Sequence, residues 1–236
     1  MHVRWYGQSA FRIRGEEATI AIDPFASIAE GFAARGLQFD YEEIEGLEAD
    51  LLIVTHEHDD HNGVEAVGGD PHVLRSRAGT FETPAGTVVS VASEHDDVAG
   101  SARGANTLVR FELDGVRVCH LGDLGQAALR EEQRAALGPV DLLFVPAGGG
   151  FTIGGAVAAA VVRDLDPRVV VPMHYRTAAL NFLDPAEAFL EAFGAPVERL
   201  DGTEFDARDY LGKTAGPVVV MPAAPVAAER ATAAAA

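Results

Sequence analysis

The chain has 236 residues but a single cysteine, Cys119. One cysteine cannot form an intramolecular disulfide, so no covalent staple holds the fold. Positive charge is also scarce. Eighteen Lys and Arg (18) stand against 36 Asp and Glu, giving a formal charge of −18, and Lys213 is the only lysine. A polyanion partner needs a basic footprint, so this balance argues against nucleic acid and against adsorption to an acidic membrane surface. Long apolar runs are missing too. The longest, residues 156–162, is far too short to span a bilayer. The opening MHVRWYGQSAFRIRG lacks the apolar stretch of a signal peptide. A cytoplasmic location is expected, with a small-molecule substrate as partner and the oligomeric state open.

What is present is a succession of short β-like runs followed by helical ones, without internal repeats. Residues 3–6, 10–13 and 18–22 read as a β-meander ended by Asp23-Pro24. Residues 51–55, LLIVT, form the continuous apolar run of a strand buried on both faces. Further strands are expected at 73–75, 86–92, 107–113, 116–121, 142–146 and 168–172, with Asp114-Gly115 turning a hairpin. Helices are expected at 62–67, 126–137, 155–165 and 185–193, the last with Asp184 as N-cap and Pro185 in first position. Segment 25–50 should hold one or two short helices, and its part 25–41 is a candidate lid. This order implies an α/β fold of two sheets with helices on the outer faces, for which a four-layer αββα sandwich is one solution. Residues 1–214 read as one domain and the Ala/Pro-rich residues 215–236 as a flexible tail.

The chemistry lies in THEHDDHNG, residues 55–63, directly after the LLIV run. His56, His58, Asp60 and His61 form the pattern H-x-H-x-D-H. In an extended turn His56 and His58 project to one side. Three imidazoles and a carboxylate so close would waste solvation if simply buried. A divalent cation resolves that conflict, because neutral imidazole and carboxylate are preferred ligands of zinc, iron and manganese. The alternative is a solvated acidic loop that happens to contain histidines.

The H-x-H-x-D-H turn resembles the hallmark of the metallo-β-lactamase-fold superfamily, and the resemblance extends over about residues 3–193. Its further stations match Asp23 in AIDP, His95 in ASEHDD, Asp123 in HLGDLG and His174 in VPMHYRT, in order and each after an expected strand. GQSAF, IDPF, HLGDLG, GGGFTIG and VPMHYRT look like the ascorbate-phosphate lactonase-like branch. This chain departs from that branch at Leu124, where relatives often have threonine, and at Gln8, where many carry histidine.

The resemblance implies the metallo-β-lactamase fold, the αββα sandwich, and two adjacent divalent metal ions, zinc first and manganese or iron as alternatives. His56, His58 and His95 would hold one; Asp60, His61 and His174 the other; Asp123 would bridge them. Asp23 would support a ligand or a loop, or else is a turn residue before Pro24. The implied activity is that of a metal-dependent hydrolase in which a metal-bridging hydroxide cleaves an ester, lactone or phosphoester of a small polar or anionic substrate, Asp60 orienting the nucleophile. Two alternatives stay open: a mononuclear iron persulfide dioxygenase-like enzyme, and a metal-binding module without turnover. Tyr175 and Arg176, next to His174, are substrate candidates, though Arg176 could equally pair with one of the many acids. Gly148-Gly149-Gly150 allows close backbone approach to a ligand or a flexible turn. His120 reads as a relay or as a satisfied strand-end histidine.

Overall fold

The computed structural model describes residues 1–213 and 215–225. Three antiparallel strands open the chain: β1 (His2–Gly7), β2 (Ala10–Arg14) and β3 (Thr19–Ile22). The helix α1 (Ala29–Ala34), β4 (Leu47–Glu48), β5 (Leu51–Val54), β6 (Val67–Gly68) and β7 (His72–Arg75) follow. A second run of strands is β8 (Gly79–Thr83), β9 (Gly86–Glu94), β10 (Ala105–Leu113) and β11 (Val116–His120). The chain then alternates: α2 (Glu131–Leu137), β12 (Leu142–Pro146), α3 (Gly155–Leu165), β13 (Val169–Met173) and α4 (Glu187–Phe193). It closes with β14 (Val197–Arg199), β15 (Glu204–Asp206) and β16 (Val218–Met221).

Two large sheets result. One has six strands in the order β15-β1-β2-β3-β5-β7; the other has eight, β14-β16-β13-β12-β11-β10-β9-β8. Strand alternation shows how they pack. Ile20, Ile22, Leu51 and Ile53 join the core between the sheets, whereas Ala21 and Leu52 belong to a second apolar cluster on the outer face. Phe11 meets Phe144 across the interface at 4.4 Å between ring centroids. The period of two leaves Leu143 and Val145 for the opposite face of the larger sheet, where α3 contacts β12. The fold is the four-layer α/β sandwich.

The LLIV run is β5, and all four of its residues are buried, as an interior parallel strand requires. Four expectations need correction. The helix expected at 62–67 is a single 3₁₀ turn, Val64–Ala66. The helix expected at 126–137 starts only at Glu131, because the Gln133 side chain accepts from the Arg130 backbone N–H at 2.8 Å and closes the first turn there. The helix expected at 185–193 starts at Glu187 without a side-chain cap. Asp184 instead ties two loops, its N–H donating to Gly148 O at 2.7 Å and its carbonyl accepting from Arg176 N at 3.0 Å.

The largest correction falls in the expected tail. Val218–Met221 is β16, fully buried between β13 and β14 with parallel register to both. Its four apolar residues bury enough surface to outweigh the Ala- and Pro-rich composition around them. The remainder of that segment, residues 226–236, lies outside the described residues. Segment 25–41 holds one helix, α1, and buries Phe25, Phe32, Phe39 and Tyr41 against the outer face of the six-stranded sheet. Among the described residues no helix is long and apolar enough to cross a membrane.

Candidate metal centre

Each candidate ligand sits just past the end of a strand, at the same edge of the sandwich. His56, His58, Asp60 and His61 follow β5, His95 follows β9, Asp123 follows β11 and His174 follows β13. The structure brings all seven together. One group is His56, His58 and His95, whose ligand atoms lie within 4.8 Å of one another; a second is Asp60, His61 and His174, within the same span. Asp123 touches both. Its Oδ2 lies 3.1 Å from His95 Nε2, 3.0 Å from His174 Nε2 and 3.8 Å from His56 Nε2, while its Oδ1 lies 3.2 Å from His61 Nε2.

The backbone at this edge is bent to hold that arrangement. Gln8, Asp23 and His174 all have positive φ, near +50°, a region that non-glycine residues enter at a cost. Gly122 has φ +51°, and a Cβ there would collide with the Asn106 side chain and with Thr55. Only glycine allows the turn that delivers Asp123.

Hydrogen bonds fix the ligands from behind. Asp23 is completely buried. Its Oδ1 accepts from Thr55 N at 2.7 Å, and its Oδ2 accepts from Thr55 Oγ1 at 2.7 Å and pairs with His61 Nδ1 at 3.0 Å. Both readings of Asp23 therefore hold at once: it makes the turn and it orients a ligand. Asn106 does the same for Asp123. Its Oδ1 accepts from Asp123 N at 3.0 Å while its Nδ2 donates to Leu121 O and Ser93 Oγ at 2.9 and 2.8 Å. Gln8 Nε2 donates to Asp60 Oδ2 at 2.7 Å. Trp5 Nε1 donates to the Gln8 carbonyl at 3.1 Å.

His120 is the satisfied strand-end histidine. Its Nε2 donates to Ser9 O at 3.1 Å, so its Nδ1 is free to accept from Gly122 N at 3.1 Å. Burial holds its pKa below the ordinary histidine value, which keeps the ring neutral. The ring clamps the turn that carries Asp123.

Electrostatics pull the ligands apart. Burial, reinforced by its imidazole neighbours, keeps His56 well below its ordinary pKa. Burial works in the same direction on His61, but the Asp123 and Asp60 carboxylates override it and hold His61 well above. Asp123 would be raised by its burial, yet the imidazoles of His174 and His61 hold it well below the carboxylate range.

These residues fit a cation. His56 Nε2, His61 Nε2 and Asp123 Oδ1 are buried and have no well-formed hydrogen bond among the described residues. Buried polar atoms left short of well-formed hydrogen bonds cost roughly 1–3 kcal/mol each. A divalent ion is the partner that imidazole nitrogens and a carboxylate oxygen share.

The cleft over these ligands has a volume of about 230 Å³. His58, Asp60, His95, Asp123 and His174 line its floor, and Phe32, Arg35, Leu37, Arg103, Phe151 and Phe182 line its rim together with Asp59 and with Glu57, whose carboxylate is held by Arg75 at 2.7 Å. The two substrate candidates beside His174 do not reach it. Tyr175 is buried against Trp5, ring centroids 5.6 Å apart. Arg176 is exposed and donates Nε to Leu183 O at 2.6 Å. The turn at His174 reverses the chain, so its sequence neighbours point elsewhere. The glycines at 148–150 make a close approach, but to the chain itself: a Cβ on Gly148 would collide with the His174 carbonyl. Sequence reasoning missed Asn106, Thr55, Arg103, Phe151 and Phe182, whereas Phe32 and Arg35 fall within the segment 25–41 expected as a lid. Gln8 left a trace only as a departure from a family pattern.

Two packed sheets with an H-x-H-x-D-H turn, three more ligands at successive strand ends and a shared aspartate define a metallo-β-lactamase-fold metal centre. A β-lactamase superfamily domain matches residues 2–174. The chain belongs to that superfamily, and its relatives are metal-dependent hydrolases. A UPF0173 metal-dependent hydrolase of Thermococcus onnurineus is 35% identical over 208 residues, covering 78% of this chain and 89% of its own length. The same-named protein of Pyrococcus horikoshii is 31% identical over 208 residues, again covering 78% and 89%. Among solved structures, one described as a Zn-dependent hydrolase of the metallo-β-lactamase superfamily from Thermotoga maritima has 31% identity. It superimposes with a TM-score of 0.73 over 93% of this chain and 97% of its own.

Proposed function

We propose that this metal-dependent hydrolase cleaves an ester, lactone or phosphoester bond of a small substrate at a centre of two divalent ions, zinc first. His56, His58 and His95 would hold one ion; Asp60, His61 and His174 the other; Asp123 would join them. The observation that carries the reading is the convergence of two three-residue ligand groups on one carboxylate, Asp123. When bound, such a pair supplies a Lewis acid for the substrate oxygen and lowers the pKa of water by several units, to about 7 in favourable zinc sites.

The protein's own groups do the positioning. Gln8 Nε2 donates to Asp60 Oδ2, which fixes the carboxylate that would hold an ion and would orient the attacking water. Asp23 fixes the His61 ring by its Nδ1 and thereby turns Nε2 toward Asp123. Asn106 and His120 hold the backbone on either side of Gly122, so Asp123 cannot swing away. No serine or cysteine nucleophile is required: Cys119 is wholly buried, and burial pushes its thiol up to about 12.

The test is metal analysis joined to a substrate screen. Two zinc or manganese ions per chain, and turnover of a lactone, ester or phosphoester that chelation abolishes and metal restores, are expected. One iron per chain with persulfide oxidation would overturn the reading. Full hydrolysis after exhaustive chelation would do the same.

A further inference from the structure

Part of the rim of the cleft is one continuous stack. Arg35 lies over the Phe32 ring at 4.6 Å, Phe32 stacks on Phe182 at 5.6 Å between centroids, Phe182 meets Phe151 edge-on at 5.6 Å, and Arg103 lies over Phe151 at 4.2 Å. The five residues come from α1 and three separate loops, yet all face the cleft that contains the metal ligands. A guanidinium therefore closes each end of an aromatic arch.

Neither guanidinium has a carboxylate partner among the described residues. Arg35 donates Nε to the Gly31 carbonyl at 3.1 Å, and Arg103 makes only its backbone N–H bond to Asp96 and its ring contact. In contrast, Arg75, Arg117, Arg130 and Arg134 each hold a carboxylate at 2.7–2.9 Å. Arg14, Arg77, Arg110, Arg163 and Arg176 also lack a carboxylate partner among the described residues, but Arg35 and Arg103 are the two arginines that share the cleft with the metal ligands. Stacked on a ring, a guanidinium keeps its N–H edge free for an external anion.

We propose that the arch selects an amphipathic organic anion: an aromatic or other flat apolar body laid against Phe182 and its neighbours, with a carboxylate, sulfonate or phosphate remote from the scissile bond and held by Arg35 or Arg103. The proposal rests on the reading of this cleft as the hydrolytic site and names the class of substrate that reaches it. Apolar contact alone would accept neutral aryl esters equally well. Charge alone would accept small inorganic anions. The arch demands both features in one molecule, and the size of the cleft limits that molecule to a small one.

Calorimetric titration of the metal-loaded full chain with 2-naphthalenesulfonate, 2-naphthalenemethanol and methanesulfonate tests this. The naphthalenesulfonate should bind about tenfold or more tighter than either of the others. An Arg35→Gln/Arg103→Gln double variant should lose about tenfold of the sulfonate's affinity and none of the alcohol's. Phe182→Ala should weaken both naphthalene compounds. His58→Ala, at an exposed position, should keep the sulfonate's affinity while losing metal. Equal binding of sulfonate and alcohol, or an unaffected double variant, would overturn the proposal. So would loss of sulfonate binding in His58→Ala, which would place the anion on the metals. Metal content on the same samples reports the hydrolytic reading separately, so either can fail alone.

Discussion

Beneath the cleft, His56, His61 and Asp123 are buried at strand ends, and a second layer of side chains holds them in place through hydrogen bonds of 2.7–3.1 Å. At the rim, Arg35 is exposed, Phe151 and Phe182 are half-buried, and ring contacts link residues from loops and one short helix. The floor inherits its rigidity from the ends of strands paired within two packed sheets. The rim has only local stacking, with aromatic pairs worth about 0.5–1.5 kcal/mol each. The difference separates two tasks. Ligands of a metal must converge within fractions of an ångström, and strand ends supply that. Recognition of a substrate body needs a surface that adjusts, and loops supply that.

The strongest way to break the floor is through the ligands. Asp123→Asn keeps the shape and removes the charge shared by both ligand groups. We expect hydrolysis to fall by about 10³-fold or more, since metal-assisted charge stabilisation contributes several kcal/mol, with metal lost or loosely held in elemental analysis. Wild-type turnover with normal metal content would show that the two groups work independently.

Asp23→Ala comes next. It strands the Thr55 N–H and the His61 Nδ1 in a fully buried place. Each orphaned group costs about 1–3 kcal/mol, so thermal unfolding should shift down by roughly 10 °C for a chain of this size. Metal affinity should drop about 10–100-fold. An unchanged midpoint with weakened metal binding would mean that Asp23 serves the ligand alone and not the fold.

The floor was open to sequence reasoning because metal chemistry restricts residue types so tightly. His56, His58, Asp60 and His61 stand within six positions after an apolar run, and that spacing has few uses other than ligation. The supporting residues were not. Asn106 is the second residue of β10, with nothing around it in the sequence to suggest that its amide joins Ser93, the Leu121 carbonyl and the Asp123 backbone. Tyr175 and Arg176 were nominated for their place beside His174, and the positive φ at that residue turned them away. β16 went unseen because its pairing partners lie tens of residues earlier, and composition carries no record of such pairing. The rest of the rim was hidden for the same reason: Arg103, Phe151 and Phe182 are far from one another and from the expected lid segment 25–41 in the chain, and meet Phe32 only through the path of three loops.

Gln8 occupies the boundary between the two regions and separates their roles further. It is buried, in a left-handed conformation, and its one side-chain bond reaches Asp60. Gln8→Ala removes that bond without touching a nitrogen ligand. We expect metal content to remain and kcat to fall about tenfold with KM nearly constant, the pattern of a lost positioning contact. A change in KM alone would move Gln8 from the floor to the rim.

The smallest effects belong to the rim itself, and their smallness is the point. Arg103→Gln removes a half-exposed guanidinium whose ring contact contributes about 0.5–1 kcal/mol. The unfolding midpoint should therefore shift by no more than about 2–4 °C, and metal content should not change, because Arg103 touches no ligand. Preference for anionic over neutral aryl compounds should fall in the same variant. Stability and selectivity then move independently, which is what a loop-built surface over a strand-built centre allows. A loss of metal or a shift of the size expected for Asp23→Ala would show instead that the rim braces the floor, and that the cleft is a single mechanical unit.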